Sequence, residues 1–318
     1  MFTQLAGSFS AVLLLFMLMA VGYILGKLGW MGPAEKKFLS RYLINVAVPF
    51  NCLRGIVRNL QPENLRESLG FLGLVVLTNL INILIGLAAA RLLRLPKKQS
   101  GVFAAMAALP NTMYIGLPLI TQLFGEAGVP YMMLFYLGTS LYTQSVAVML
   151  VESSGRESVT RRSPLQLVRA ILTKPPIIGL ICGYLCVFLK VTPPEIVMTF
   201  SSYMSQTVSP LAMIFCGYIM YELGICNIRP EGGMPVMLLL RLVVSPLVCF
   251  GVCAAVGMTG LSRQVFIMMG ALPVVTQIPV MAGTYGADEK YATSGAVVSY
   301  LLMFLTVPVI MTLVSTLA

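Results

Sequence analysis

The sequence contains no histidine, a single tryptophan and only 11 acidic residues among 318. Without histidine the chain lacks the commonest general base and a common metal ligand. No Asp or Glu falls in the middle of any long apolar run: Glu152 and Glu222 stand at the ends of such runs, and Glu126, Asp288 and Glu289 in loops between them. A proton relay through a buried acid therefore has no acid to use. The seven cysteines (Cys52, Cys182, Cys186, Cys216, Cys226, Cys249, Cys253) show no C-x-x-C spacing. They lie mostly within or at the ends of apolar runs and read as small buried hydrophobes, not as disulfides or metal ligands. An intramembrane enzyme would need a nucleophile with its base, or a metal centre. The composition supplies neither, so no catalytic residue, cofactor or metal is expected.

What is abundant is apolar side chain: 58% of residues are hydrophobic, 10% are charged, and the mean hydropathy is +0.90. Soluble domains carry about 25% charged residues, and a soluble core of this length could not hide so much apolar surface. The chain reads as an all-α, polytopic integral membrane protein. A secreted disulfide scaffold, a disordered chain and a nucleic-acid binder are excluded, although the net charge is +10. A membrane-spanning helix needs about 20 apolar residues. Ten segments qualify, near 8–28, 39–57, 69–90, 100–122, 129–151, 175–190, 201–221, 235–256, 264–285 and 291–316. The first has no basic residue before it and no clear cleavage motif, so it reads as a mature span.

The basic residues sort by side. Arg54, Arg58, Arg66, Lys190 and Arg263 fall on one side of the bilayer. The larger remainder, including Lys174 and Arg241, falls in loops on the other. The positive-inside bias puts both termini outside the cell membrane and the 152–174 loop in the cytoplasm. No Lys or Arg is expected at mid-depth. Leu165, Leu167, Val168, Ile171 and Leu172 among basic residues leave open an interfacial amphipathic helix or a solvated linker.

The two halves repeat. Ala-Leu-Pro occurs at 108–110 and at 271–273. Pro118 and Pro279 are separated by the same interval as Pro49 and Pro210; Pro110 and Pro273 share an interval two residues longer with Phe103 and Phe266. Five spans separate equivalent helices. Because five is odd, the second half runs through the membrane upside down, an arrangement of secondary transporters. The implied units are 1–155 (spans one to five), a linker at 156–174, and 175–318 (spans six to ten).

Spans four and nine each carry two prolines near mid-membrane, Pro110 with Pro118 and Pro273 with Pro279. Proline lacks an N–H and clashes with the preceding turn, so the spacing predicts an unwound middle, with Pro118 and Pro279 in the first turn of a second half-helix. Asn111, Thr112, Thr276 and Gln277 sit in these breaks. They either cap freed backbone groups or line a substrate site. Two breaks at equivalent places favour the site. Two half-helix N-termini facing one point suit a small anion, a carboxylate for preference. An uncoupled anion would be driven outward by the membrane potential, about 2.3 kcal/mol per charge per 100 mV. Sodium held by carbonyls and amides stays open as a coupling ion. Asn51, beside Pro49, could line the same site or bond between helices. Asn79 and Asn82, three apart on span three, read as helix–helix glue, and the Gly22–Gly26 spacing as a close helix contact.

At these residues the chain resembles a known family. The run Leu109-Pro110-Asn111-Thr112, then Gly116-Leu117-Pro118 and Phe124-Gly125, is similar to the fourth helix of the auxin efflux carriers. Ala271-Leu272-Pro273, then Pro279 and Tyr285-Gly286, is similar to their ninth, and Arg41 through Val46-Ala47-Val48-Pro49 to their second. The resemblance implies ten helices in a five-plus-five inverted repeat, with the fourth and ninth crossing at paired prolines. It implies carboxylate transport by an elevator-like motion in a homodimer. Pro110, Asn111 and Pro273 would be crossover residues, with Asn111 on the carboxylate. The 152–174 loop is far shorter than that of typical plant exporters and is more like a bacterial member, for which a small organic acid such as malonate, malate or lactate is the expected cargo.

Overall fold

In a computed structural model of the chain, residues 2–60, 65–155, 169, 172–224 and 231–316 are described. Among them no strand occurs; the only β-like feature is one bridge, between Pro110 and Val274. The first half runs through α1 (Phe2–Lys27), α2 (Pro33–Tyr42), α3 (Val48–Asn59), α4 (Leu65–Leu92), α5 (Lys97–Ala108), α6 (Leu117–Phe124), α7 (Val129–Tyr142) and α8 (Val148–Gly155). The second runs through α9 (Pro175–Phe188), α10 (Glu195–Leu223), α11 (Met234–Leu239), α12 (Ser245–Ala255), α13 (Gly260–Gly270), α14 (Gln277–Tyr285) and α15 (Glu289–Thr316). Four helical stretches are long and apolar enough to cross a membrane: Gly70–Leu92, Thr112–Gly155, Met234–Ala255 and Glu289–Val314. Leu13–Lys27 and Pro175–Phe188 are apolar but shorter. Large apolar side chains such as Leu84, Leu247, Leu305 and Leu313 stand exposed on the outside, as a lipid-facing surface requires. Most of the segment considered for an interfacial helix, with Leu165, Leu167, Val168 and Ile171, lies outside the described residues.

The helices pack as two bundles. In the first, α1 lies on α10 and α9 on α3. Glycine makes both contacts possible. A Cβ on Gly217 would stand 1.8 Å from the Met19 carbonyl oxygen, and one on Gly22 1.9 Å from that of Ile214. On α9, a Cβ at Gly179 would come within 2.3 Å of the Pro49 carbonyl oxygen. Small residues at the seam let backbones approach, which is how helices associate in lipid. The second bundle joins α4, α5, α7 and α8 to α12 through α15. Ion pairs gather at the ends: Lys36 with Glu222, and Arg54 and Arg58 with Glu126.

Three prolines lie just after a widened helical turn. π-helical segments cover Leu43–Ala47, Thr112–Gly116 and Leu240–Val244, and Pro49, Pro118 and Pro246 follow each by two residues. A proline ring collides with the carbonyl four residues back. In each case that carbonyl lies inside the widened segment, where the i→i+5 spacing makes room. Helix continues through each of these prolines.

Candidate substrate site

Two helices are interrupted side by side. α5 ends at Ala108, Leu109–Asn111 is non-helical, and helix resumes at Thr112. α13 ends at Gly270 and helix resumes at Gln277. The breaks satisfy each other: the Asn111 N–H donates to the Pro273 carbonyl at 2.8 Å, and the Val275 N–H to the Leu109 carbonyl at 3.2 Å. Irregular backbone at membrane depth is tolerated only with such partners. Helix α15 props both. The Ser299 hydroxyl accepts the Val274 N–H at 3.1 Å, and the Asn111 amide donates to the Tyr300 hydroxyl at 3.2 Å. The first break is narrower than the proline spacing predicts. Helix already resumes in the widened turn at Thr112–Gly116, after which Pro118 stands in the first turn of α6, as Pro279 does in the first turn of α14.

Pro110, Asn111, Thr112, Thr276 and Gln277 come together around a cavity of about 30 Å³, room for roughly one water. Pro273 serves the bridge, and neither it nor Pro118 nor Pro279 lines the cavity. Asn51 does not reach it either: its side-chain oxygen accepts the Ser205 hydroxyl from α10. That is the interhelical bond, not the lining role. The rest of the wall comes from residues the sequence reading passed over. Thr139, Ser140, Thr143 and Gln144 face the cavity, with Tyr114, Tyr136 and Lys174. The signal was present: two polar pairs at i, i+4 inside an apolar span mark one helix face. Gln144 donates to the Gln277 side chain at 3.3 Å. Among the described residues no carboxylate lines the cavity.

Behind the breaks lies Arg241. Loop counting assigned it to the cytoplasmic face, but it sits within the Met234–Ala255 stretch with 0% of its surface exposed. A buried cation at that depth overturns the expectation of none. Its guanidinium donates to the Ala108 carbonyl at 2.6 Å, to the Gly270 carbonyl, and to the Ser245 hydroxyl at 2.8 Å. Ala108 and Gly270 are the last residues of α5 and α13. Each helix C-terminus carries roughly half a negative charge, so two together match one guanidinium. Among the described residues no carboxylate pairs with Arg241. The helix ends take that part, which a buried charge needs.

The opposite helix ends carry no side-chain cap; the Thr112 N–H turns back to the Pro110 carbonyl at 3.0 Å and the Ile278 N–H to the Val275 carbonyl at 3.3 Å. The segment from Thr112 begins behind Asn111, and α14 begins behind Thr276; neither side chain bonds back to the helix start. The first N–H groups of a helix have no partner within it. The local field thus has a sign: C-terminal ends neutralised by Arg241, N-terminal ends without side-chain caps beside the cavity.

Comparison with known proteins agrees with a transporter. The family described as "membrane transport protein" matches residues 8–311. An uncharacterised transporter of Methanothermobacter thermautotrophicus is 25% identical over 313 residues, covering 95% of this chain and 97% of the relative. One from Methanocaldococcus jannaschii is 23% identical, over 89% of this chain and 91% of the relative. A protein of Rhizobium meliloti whose name proposes malonate as its cargo is 23% identical, over 93% of this chain and 92% of the relative. With nearly the whole chain covered, the protein belongs to the membrane transport protein family, that of the auxin efflux carriers its proline motifs resemble.

Proposed function

We propose that the protein carries small organic carboxylates through the membrane by alternating access, with the paired breaks as the binding point. The observation that carries this reading is Arg241 on the ends of α5 and α13. It cancels the negative ends of the first half-helices, so the two N-termini without side-chain caps present about one net positive charge to the cavity. The neutral polar wall of Thr, Ser, Asn and Gln adds donors and no competing carboxylate. The relative named for malonate agrees with a carboxylate cargo.

The architecture in this reading is ten spans in two inverted halves, 1–155 and 175–318, with spans four and nine crossing at the breaks. Equivalent pairs support it: α1 packs on α10 as α9 packs on α3, and α4 on α5 as α12 on α13. The cavity of about 30 Å³ is too small for any carboxylate, so loading needs the two bundles to part, as a sliding of one against the other would allow. Electrogenic efflux from the cytoplasm follows from an uncoupled anion, with both termini outside and the linker inside. The protein acts as a homodimer in this reading, which light scattering of the solubilised protein tests.

The reading is tested with purified protein in proteoliposomes and labelled malonate, lactate and neutral malonamide. Saturable flux of an acid, with none of the amide, is expected. A linear, non-saturating flux would mean a channel, and specific binding without flux a receptor; either would displace the carrier reading.

A further inference from the structure

Lys174 breaks a local rule. It is the N-cap residue of α9, with φ −70° and ψ 130°, where Ser, Thr, Asp or Asn would serve and where a cation meets the positive end of the helix. Helix formation does not explain it. Lys174 lines the same cavity as Asn111, Thr112, Thr276 and Gln277 and, among the described residues, is the only lysine or arginine that does so. Among the described residues it takes part in no ion pair. Partial burial pushes its ammonium below the usual lysine range. The cavity wall therefore carries two positive poles, the half-helix ends without side-chain caps and Lys174 with the start of α9.

We propose that Lys174 is the specificity-determining residue of this site: it takes the second carboxylate of a short dicarboxylate whose first carboxylate rests on the breaks. The inference rests on the carboxylate reading above and goes beyond it by dividing the substrates. A monocarboxylate fills one pole and leaves Lys174 without an anion; a dicarboxylate fills both. The two poles also belong to different bundles. α9 is fixed to α3 through Gly179 against Pro49 and Gly183 against Ile56, whereas the breaks belong to the bundle of α5, α13 and α15. If the bundles slide, the Lys174 contact is made while the site opens toward the linker and lost on the far side. The dicarboxylate is then held more tightly on the linker side than on the other.

The test compares wild type, Lys174→Met, Lys174→Gln and Lys174→Arg in proteoliposomes, with labelled malonate and labelled lactate. Melting temperature is measured for each, and the two neutral variants guard against one misfolding. A charge-assisted hydrogen bond implies that KM for malonate rises roughly tenfold or more in the neutral variants. KM for lactate stays within about twofold, and the arginine variant keeps most malonate affinity. Vesicles of opposite orientation should show the malonate defect on the linker side alone. Equal losses for both acids, or none for malonate, would overturn the assignment while leaving carboxylate transport intact. Wild type that moves neither acid would instead remove the carboxylate reading, and this inference with it.

Discussion

Asn82 donates to the Ser245 hydroxyl at 3.1 Å, across 163 positions of sequence. Pro110 and Pro273 stand at that same separation, and the bridge at the breaks joins Pro110 to Val274. Residues equivalent under a two-fold relation touch only near its axis. In the proposed inverted repeat the Asn82–Ser245 bond and the bridge would both lie there.

Ser245 serves two donors, Asn82 and Arg241. Ser245→Ala leaves both short of an acceptor in a buried place. The expected cost is about 1–3 kcal/mol, read as a lower melting temperature. Substrate affinity should change little, because Arg241 keeps its two carbonyls.

Arg241 itself should behave differently. Lysine cannot span the two helix ends with a planar fork, and methionine leaves both ends without a cation. Arg241→Lys is expected to retain folded protein with a KM raised several-fold. Arg241→Met should be unstable, by roughly 3–5 kcal/mol for a broken buried charge set. A methionine variant as stable and as active as wild type would show that the guanidinium does not set the field at the breaks.

Asn111 has one of its amide hydrogens on Tyr300. Tyr300→Phe removes that partner but keeps the amide, so it should lower stability by about 1 kcal/mol and leave KM nearly unchanged. Asn111→Ala removes the amide and should raise KM roughly tenfold. A fall in melting temperature with unchanged KM for Asn111→Ala would assign the amide to backbone support alone.

The Tyr114 hydroxyl, at the first break, lies 2.9 Å from the Ser40 hydroxyl on α2. Because α2 packs on α10 of the first bundle, this bond ties the resumed helix after the first break to that bundle. Tyr114→Phe and Ser40→Ala should each favour the opened state. The check is cysteine accessibility at Thr143→Cys, which should label faster in either variant than in the parent.

The breaks were legible because proline states its geometry in the sequence: Pro110 and Pro273 lack an N–H wherever they stand. Arg241 was not. Loop counting places a cation by its neighbours, and nothing local reveals that two helix ends will come to meet it. The widened turn at Thr112–Gly116 was hidden for a related reason, since it depends on packing that a single helix does not show. Asn51 and Gln144 are both amides in apolar spans, and only the rotation of each helix decides that Gln144, to which the sequence assigns no role, faces the cavity while Asn51 turns to Ser205.

The central claim is that an anion moves through the paired breaks without a coupled cation. The direct measurement is flux of labelled malonate into proteoliposomes under an imposed potassium-diffusion potential, with no sodium or pH gradient. The account predicts saturable flux that reverses when the potential is reversed and is impaired by Asn111→Ala. Flux that appears only with a sodium or proton gradient, whatever the potential, would contradict it and make the protein a symporter.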